Sequence, residues 1–418
     1  MNLLYNIGIS AYRFAAKFVS PWNPKAMKMV QGQDCTMDYL RQTLDPQGGY
    51  IWIHTASLGE FEQGRPLIEK IKKEHPDAKI LLSFFSSSGY EVRKNYDKVD
   101  AVCYLPMDTP NGVIAFLDVV KPRMAIFVKY EFWGNYLSEL KRRKVPTYII
   151  SSIFRPNQIF FKPWGGMFRK MLGCFTHLYV QNDESCQLLH GIGVDNVTVC
   201  GDTRLDRVLQ IKAQAQEFSA IAQMVGDCKN VIVMGSSWEP DEDIVIPYFN
   251  SHPEMKLIIA PHEFDENRLQ ALQAHINRPV ARYSQLDGKD ASQLDCIIID
   301  CFGLLSSLYR YGTIAYVGGG FGDGIHNVPE AAVYGIPVIF GPRYEKFKEA
   351  VDLKECGGAF AISNAKQCHD ILNKLIGDNE ALKKAGTAAS DYIITHTGAT
   401  NRISTDLFEE KESKNFAD

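Results

Sequence analysis

The sequence predicts an α/β protein built from two halves of similar size, each a mostly parallel sheet layered with helices. Three observations predict it. From Tyr50 onward, short apolar runs alternate with longer amphipathic segments, the βαβα rhythm of a parallel sheet. That rhythm is interrupted once, by a polar stretch near residues 201 to 229, and then starts again. The length of 418 residues suits about two or three domains, each large enough to bury its own core. Composition adds exclusions. With 45% hydrophobic and 22% charged residues the chain reads as an ordinary globular protein, and a net charge of −4 gives no pull toward nucleic acid. Ten scattered cysteines form no CxxC pair and ten histidines no HExxH. Buried thiols of a reducing compartment are expected, with neither a disulfide framework nor a protein metal site.

Residues 1–30 hold Arg13, Lys17, Lys25 and Lys28, and no acidic residue precedes Asp34. On a helical wheel Leu4, Ile7, Ala11, Phe14 and Phe18 share one face, opposite Asn6, Ser10, Arg13 and Lys17. A basic amphipathic helix of this kind lies in the interface of an anionic leaflet, or else packs its apolar face on the first domain. Arg13 interrupts the apolar run, so a spanning helix is not expected, and no small-residue cleavage site follows.

Strands are expected at Tyr50–His54, Lys79–Phe84, Ala101–Leu105, Met124–Val128, Thr147–Ser151, His177–Gln181 and Val197–Cys200, with helices such as Glu60–Glu74 and Asn135–Arg143 between them. Functional residues of such sheets collect just past the C-terminal strand ends. The first strand runs into HTASLGE, which puts Glu60 at a helix start, placed to take a proton from a hydroxyl or simply to favour the helix dipole. The fourth ends in VKYEFWGN, which puts Glu131 at a neighbouring strand end among Tyr130, Phe132 and Trp133, aromatics that read as packing. Arg155 is a candidate for an anion at the same rim. Beyond it, Ile159, Phe160, Phe161, Trp164, Met167 and Phe168 beside Lys162, Arg169 and Lys170 suit either a membrane surface or a packed helix.

After GDTRLDRV (201–208) a polar helix runs to about Val225. A second series of strands follows at Val231–Met234, Lys256–Ala260, Pro279–Tyr283, Cys296–Asp300, Thr313–Val317 and Pro337–Phe340. A crevice between the two halves is expected. Asp241-Glu242-Asp243 matches a DxD metal motif formally, but acids at a helix start are favourable without metal. In Tyr316–Pro342 a strand ends in Gly318, Gly319 and Gly320. A loop follows, then a helix from Val328 to Tyr334 with Glu330 in its first turn. Strand, glycine loop and helix N-terminus together suit an anionic ligand, and a carboxylate there suits a sugar's hydroxyls; an ordinary tight βαβ loop has the same pattern. The segment 382–408 reads as helical, able to pack back across the first domain, and 409–418 as frayed.

In their order, HTASLGE, KYEFW, GDTRLD, GSSWEPDE and GGGFGDGIHNVPEAAVYGIPVIFGP resemble the 3-deoxy-D-manno-octulosonic acid (Kdo) transferases of bacterial lipopolysaccharide synthesis. The resemblance runs from the amino-terminal helix to beyond residue 350, and the GE of the first motif and HNxxE of the last are its most specific parts. It implies the GT-B fold: two facing Rossmann-like domains with an interdomain crevice and an amino-terminal amphipathic helix. The expected division is a membrane-associating helix at 1–30, an acceptor domain at 31–208, a linker at 209–228, a CMP-sugar-binding domain at 229–395, and a C-terminal helix and tail at 396–418.

The resemblance further implies transfer of Kdo from CMP-Kdo to the lipid A precursor lipid IVA, with inversion, at the cytoplasmic face of the inner membrane. No cofactor and no catalytic metal are expected; the partners are the donor, the acceptor and an anionic membrane surface. Residue by residue, Glu60 becomes the general base, and Glu131 and Arg204 stabilise the transition state. Pro261, His262, Phe302, Gly303, Leu304, Asn327, Val328, Pro329 and Glu330 contact CMP. Several positions depart from the family's pattern. Arg204 stands for the usual lysine, Pro261-His262-Glu263 for a proline-arginine-histidine, Leu304 for a glutamate and Val328-Pro329 for proline-leucine, and SSIFRPN replaces an asparagine-alanine-arginine segment. The alternatives are another GT-B sugar-nucleotide transferase or epimerase, and a non-catalytic, membrane-attached sugar-nucleotide-binding protein.

Overall fold

The computed structural model describes residues 3–415, with side chains through Phe408. The chain divides into two compact units. One comprises the residues up to Arg207 together with those from Thr397 on, and the other comprises Val208–His396.

The first unit holds seven strands: β1 (Tyr50–Thr55), β2 (Ile80–Phe84), β3 (Ala101–Tyr104), β4 (Pro122–Val128), β5 (Thr147–Ser152), β6 (His177–Val180) and β7 (Val197–Val199). They form one parallel sheet in the order β3-β2-β1-β4-β5-β6-β7. Every residue of β1, β2 and β5 is buried, because helices cover both faces and such strands read as unbroken apolar runs. Successive side chains of β1 serve opposite faces. Trp52 packs with Phe116, Phe127 and Tyr136, whereas Ile51 and Ile53 join Phe61, Ile68 and Ile126. The second cluster also takes Ile403 and Leu407 from the helix Ala399–Asn415. The Asp206 carboxylate accepts the backbone N–H groups of Gly398 at 2.6 Å and Thr400 at 2.7 Å where that helix begins. These bonds satisfy donors that a helix start leaves unpaired.

The second unit holds β8 (Val231–Ser237), β9 (Lys256–Pro261), β10 (Val280–Arg282), β11 (Cys296–Ile298), β12 (Ile314–Val317), β13 (Val338–Phe340) and β14 (Ala359–Ala361). Their order is β10-β11-β9-β8-β12-β13-β14, again parallel throughout. Two parallel, helix-covered sheets, each with a reversal of strand order beside its first strand, make this a GT-B-type α/β fold of two Rossmann-like units. Two details differ from the sequence reading. The polar segment after residue 201 forms two helices, Thr203–Ala213 and Ser219–Val225. Between them Arg310 takes the Ala215 carbonyl at 3.1 Å and the Tyr311 hydroxyl takes the Phe218 N–H at 2.7 Å. Strand β14 was not expected; its three residues, Ala-Phe-Ala, give no periodicity to read.

At the amino end, α1 (Leu3–Val19) and α2 (Pro24–Thr43) precede the first sheet. The polar residue Asn6 and its neighbour Tyr5 touch the unit: the Tyr5 hydroxyl donates to Asp108 Oδ2 at 2.5 Å, and Asn6 Oδ1 accepts from Asn135 Nδ2 at 2.9 Å. The apolar face points outward, with Leu4 76%, Phe14 74% and Phe18 63% exposed. Packing of that face on the domain is therefore not what the structure has. Among the described residues no helix is long and apolar enough to cross a membrane. The segment after Arg155 resolves toward packing: Phe160 is buried against Phe132, Phe154 and Phe168, and only Trp164 of that cluster is strongly exposed.

Candidate active site

In the first sheet the strand order reverses between β1 and β4, and ligands of open α/β sheets bind past the strand ends at such a point. Ser57 caps α3 (Leu58–Glu74), and Glu60 sits in its first turn. Glu60 Oε2 accepts the Ser57 backbone N–H at 2.9 Å and the Ser57 hydroxyl at 3.2 Å. This is the carboxylate half of a capping box, so the helix-stabilising role is present. It does not exhaust the residue. Burial, and then the charge of Glu131, push the Glu60 pKa above the ordinary carboxylate value, against the pull of the Ser57 amide, His54 and Lys129. A carboxylate so raised is a stronger proton acceptor.

Glu131 follows β4 through Lys129, whose φ of 69° is uncommon for a residue with a side chain. Its Oε2 accepts Trp133 Nε1–H at 2.6 Å and faces His54 Nε2 at 3.0 Å. His54, the last residue but one of β1, is fully buried. Its Nδ1 lies 2.9 Å from Ser83 Oγ, which accepts Trp52 Nε1–H at 2.8 Å. Sequence reasoning singled out the two glutamates, missed His54, and took Trp133 for packing. The available signal was a histidine within an otherwise apolar strand.

Arg204 pairs with Asp202. Its Nε donates to Asp202 Oδ2 at 2.8 Å, and its backbone N–H donates to Asp202 Oδ1 at 2.9 Å, which also accepts from Gln63 at 3.1 Å. Burial raises the Asp202 carboxyl, but the Arg204 guanidinium and these hydrogen bonds outweigh it and leave the pKa lowered. Glu60 and Glu131 are thus brought into electrostatic contact, while the Arg204 guanidinium closes on Asp202. Arg155 Nη1 donates to the Tyr130 hydroxyl at 3.2 Å.

In the second sheet the reversal falls between β8 and β12. The helix Glu239–Ser251 starts past β8. Its Asp241 is fully buried. Asp241 Oδ1 accepts the Tyr316 hydroxyl at 2.9 Å, and Oδ2 accepts the N–H groups of Gly319 at 2.9 Å and Trp238 at 3.0 Å. Glu242 accepts Ser237 Oγ–H at 2.7 Å and pairs with Arg268, and the Asp243 side chain is 61% exposed. Side chains two apart on a helix diverge, so Asp241 and Asp243 do not face one point. Among the described residues no three His, Cys, Asp or Glu gather as metal ligands.

The glycine loop is tight for an internal reason. A Cβ on Gly318 would come within 2.4 Å of the Ser236 carbonyl oxygen, and one on Gly320 within 2.6 Å of Gly341 Cα. These glycines let backbone approach backbone. The helix after them is a single turn, Pro329–Ala332, shorter than the expected Val328–Tyr334, because the chain continues in i→i−3 turns to Gly335 at φ 76°. Pro261 ends β9, and His262 stacks between Trp238 and His326 with ring centroids 4.6 Å apart on each side. Burial, with His262 beside it, lowers the His326 pKa. Asn327 Nδ2 donates to Glu330 Oε1 at 2.7 Å, while Asn327 Oδ1 is buried without a partner, an acceptor that a ligand donor would satisfy. Val328 and Pro329 are buried. Phe302 is 84% exposed against Phe264, Gly303 has φ 88°, and Leu304 caps the short helix Leu305–Leu308. The structure therefore gathers Pro261–His262 and His326–Asn327 through the ring stack.

Comparison with known proteins bears on this geometry. Residues 31–207 match the family model described as 3-deoxy-D-manno-octulosonic-acid transferase (kdotransferase). The chain is 28% identical to the 3-deoxy-D-manno-octulosonic acid transferase of Aquifex aeolicus over 82% of its own length and 90% of that protein. The Bordetella pertussis enzyme of the same name is 27% identical, with 85% and 86% covered. Among solved structures, a putative UDP-N-acetylglucosamine 2-epimerase from Listeria monocytogenes superposes with a TM-score of 0.62 at 14% identity, over 88% of this chain and 97% of that one. MurG from Acinetobacter baumannii gives 0.54 at 11%, over 87% and 99%. At such identities these two speak for the fold alone. The chain is thus similar along most of its length to 3-deoxy-D-manno-octulosonic acid transferases, and the family model matches it over residues 31–207.

Proposed function

We propose that the protein is an inverting, metal-independent glycosyltransferase that moves Kdo from CMP-Kdo to the lipid A precursor at the cytoplasmic face of the inner membrane. The observation that carries the chemistry is the Glu60 carboxyl, raised by burial and by Glu131 at the β1/β4 reversal. Kinship with the Kdo transferases supplies donor and acceptor. In this reading Glu60 takes the proton of an acceptor hydroxyl, and the oxygen's electron pair forms the new bond to the anomeric carbon of Kdo. The bond from that carbon to the phosphate oxygen breaks, and CMP departs with its electrons. Glu131 and Arg204 stabilise the charge that develops; Arg204 does so after exchanging part of its contact with Asp202. The second unit holds the nucleotide: Pro261 and His262, Phe302 to Leu304, and Asn327 to Glu330 surround it, and the unpaired Asn327 Oδ1 receives a ligand N–H or O–H.

The outward apolar face of α1 supports membrane attachment. Leu4, Ile7, Phe14, Phe18 and Trp22 are exposed, with Arg13 and Lys17 on the same helix, the pattern of an interfacial helix on anionic lipid.

The deciding experiment is transfer by the purified full chain from CMP-Kdo to lipid IVA, for wild type and Glu60→Gln. Wild type should turn over in EDTA. Glu60→Gln should lose at least about a hundredfold in kcat, the scale of general-base catalysis, while still binding CMP. Unchanged turnover in a folded Glu60→Gln protein would remove Glu60 as base. Tighter binding of UDP or GDP than CMP would favour a different sugar-nucleotide enzyme.

A further inference from the structure

We propose that His54 is a positioning residue for the transfer: its Nε2–H fixes the Glu131 carboxylate in place, and Glu131 in turn acts on Glu60, the base. The inference rests on the role of Glu60 given above.

Tryptophan N–H groups only donate and ionised carboxylates only accept. Trp52 Nε1 gives its hydrogen to Ser83 Oγ at 2.8 Å, and His54 Nδ1 lies 2.9 Å from that hydroxyl and 3.2 Å from the Ser83 carbonyl oxygen. On the other side of the ring, Nε2 presents a hydrogen to Glu131 Oε2 at 3.0 Å. Trp133 Nε1 donates to the same oxygen from the other side at 2.6 Å. The opposite tautomer would set a nitrogen lone pair against a carboxylate oxygen in a fully buried position, where unpaired polar groups are costly.

Packing fixes the ring as well. Phe127 meets it edge-on at 5.8 Å and Trp133 at 6.4 Å. His54 thus brings a titratable ring with no exposure into β1, a strand buried along its whole length. The network joins residues 29 and 77 positions apart and ends on the carboxylate whose charge acts on Glu60. The charged and titratable groups that act on Glu60 are Glu131, His54 and Lys129, so His54 acts on it both directly and through Glu131.

The test compares His54→Gln, whose side-chain amide places an N–H near the Nε2 position, with His54→Leu, which fills space without a donor. His54→Leu should lower kcat about ten- to a hundredfold, the equivalent of one charge-assisted hydrogen bond, with KM for CMP-Kdo little changed. The acid limb of its kcat/KM profile should move, because the Glu131 carboxylate that acts on Glu60 is no longer held in place. His54→Gln should keep the wild-type limb and most of the turnover. A folded His54→Leu with wild-type kcat and limb overturns the proposal, and so does a His54→Gln as impaired as His54→Leu. If His54→Leu does not fold, 15N-histidine NMR of the wild-type chain decides: the Nε2–H tautomer is expected, and an Nδ1–H tautomer overturns it. If wild type transfers no Kdo, the function reading fails by itself. The tautomer, with the titration of Glu60 followed by 13C carboxyl NMR in wild type and His54→Gln, still decides the role of His54.

Discussion

Replacing Asp241 by alanine separates a metal motif from a structural one, and the structure sets the size of the effect. Asp241 accepts three hydrogen bonds, from the Tyr316 hydroxyl and from the Gly319 and Trp238 amides. Alanine leaves all three donors without a partner in a fully buried place. Each stranded donor costs about 1–3 kcal/mol, and a water admitted to the space recovers part of it. A net loss of about 3–6 kcal/mol follows, a large share of the roughly 5–15 kcal/mol that holds a domain together. Asp241→Asn keeps one acceptor and turns an NH2 toward donors, so it should fall between alanine and wild type. Guanidinium unfolding, with near-ultraviolet circular dichroism for Trp238 and Tyr316, measures the loss, and CMP calorimetry reads the glycine loop. Midpoints for wild type and both variants should be the same with EDTA or magnesium. A folded Asp241→Ala with the wild-type midpoint, inactive until a divalent ion is added in excess, would refute the reasoning and restore the metal motif.

Three further outcomes are expected. Gly320→Ala should destabilise the second unit by about 1–3 kcal/mol or more, the usual cost of overpacking, and weaken CMP binding at least about tenfold, since its Cβ would meet the Gly341 backbone; Gly322→Ala, where the nearest atom is 3.5 Å away, should do neither, and equal calorimetric behaviour of the two would contradict the close approach. Burial raises the Asp108 carboxyl from its ordinary 3.8 to about 6. Its stabilising contribution is therefore complete below the ordinary value and lost as pH rises through about 6, about 3 kcal/mol in all; in Asp108→Asn this slope in stability against pH should vanish, and its persistence would rule Asp108 out. Changing Leu4, Phe14 and Phe18 together to serine should sharply reduce recovery on phosphatidylglycerol vesicles while CMP affinity stays unchanged, and undiminished recovery would count against an interfacial α1.

The strands were legible because parallel strands buried on both faces leave unbroken apolar runs; β1 and β2 are of this kind. Three-residue β14 leaves none. Glu60 and Glu131 were legible by position, as acids just past strand ends. Their partners were not, because His54 meets Glu131 across 77 residues and nothing local marks a contact between two strands that pair out of sequence order. The glycines show a subtler limit. A glycine cluster reports that something must come close, and the sequence does not say what. Here the neighbours are the Ser236 carbonyl and the Gly341 backbone, so Gly318 and Gly320 shape the loop that carries His326 and Asn327.

The same distinction applies to Glu60, where a helix cap and a base are often treated as rival explanations. The capping bonds fall on Oε2, and no donor among the described residues is within hydrogen-bonding distance of Oε1. Capping lowers the pKa of a carboxyl; burial and Glu131 act against it and prevail. A carboxylate fixed by its own helix start cannot swing away from the strand end, and one raised above its ordinary value gains proton affinity. The cap therefore supplies orientation, and burial together with Glu131 supplies basicity. Substituting Ser57 should then disturb geometry more than proton affinity, whereas changes at Glu131 or His54 should move the pH dependence. A Ser57→Ala variant that shifted the acid limb as far as His54→Leu would break this division of roles.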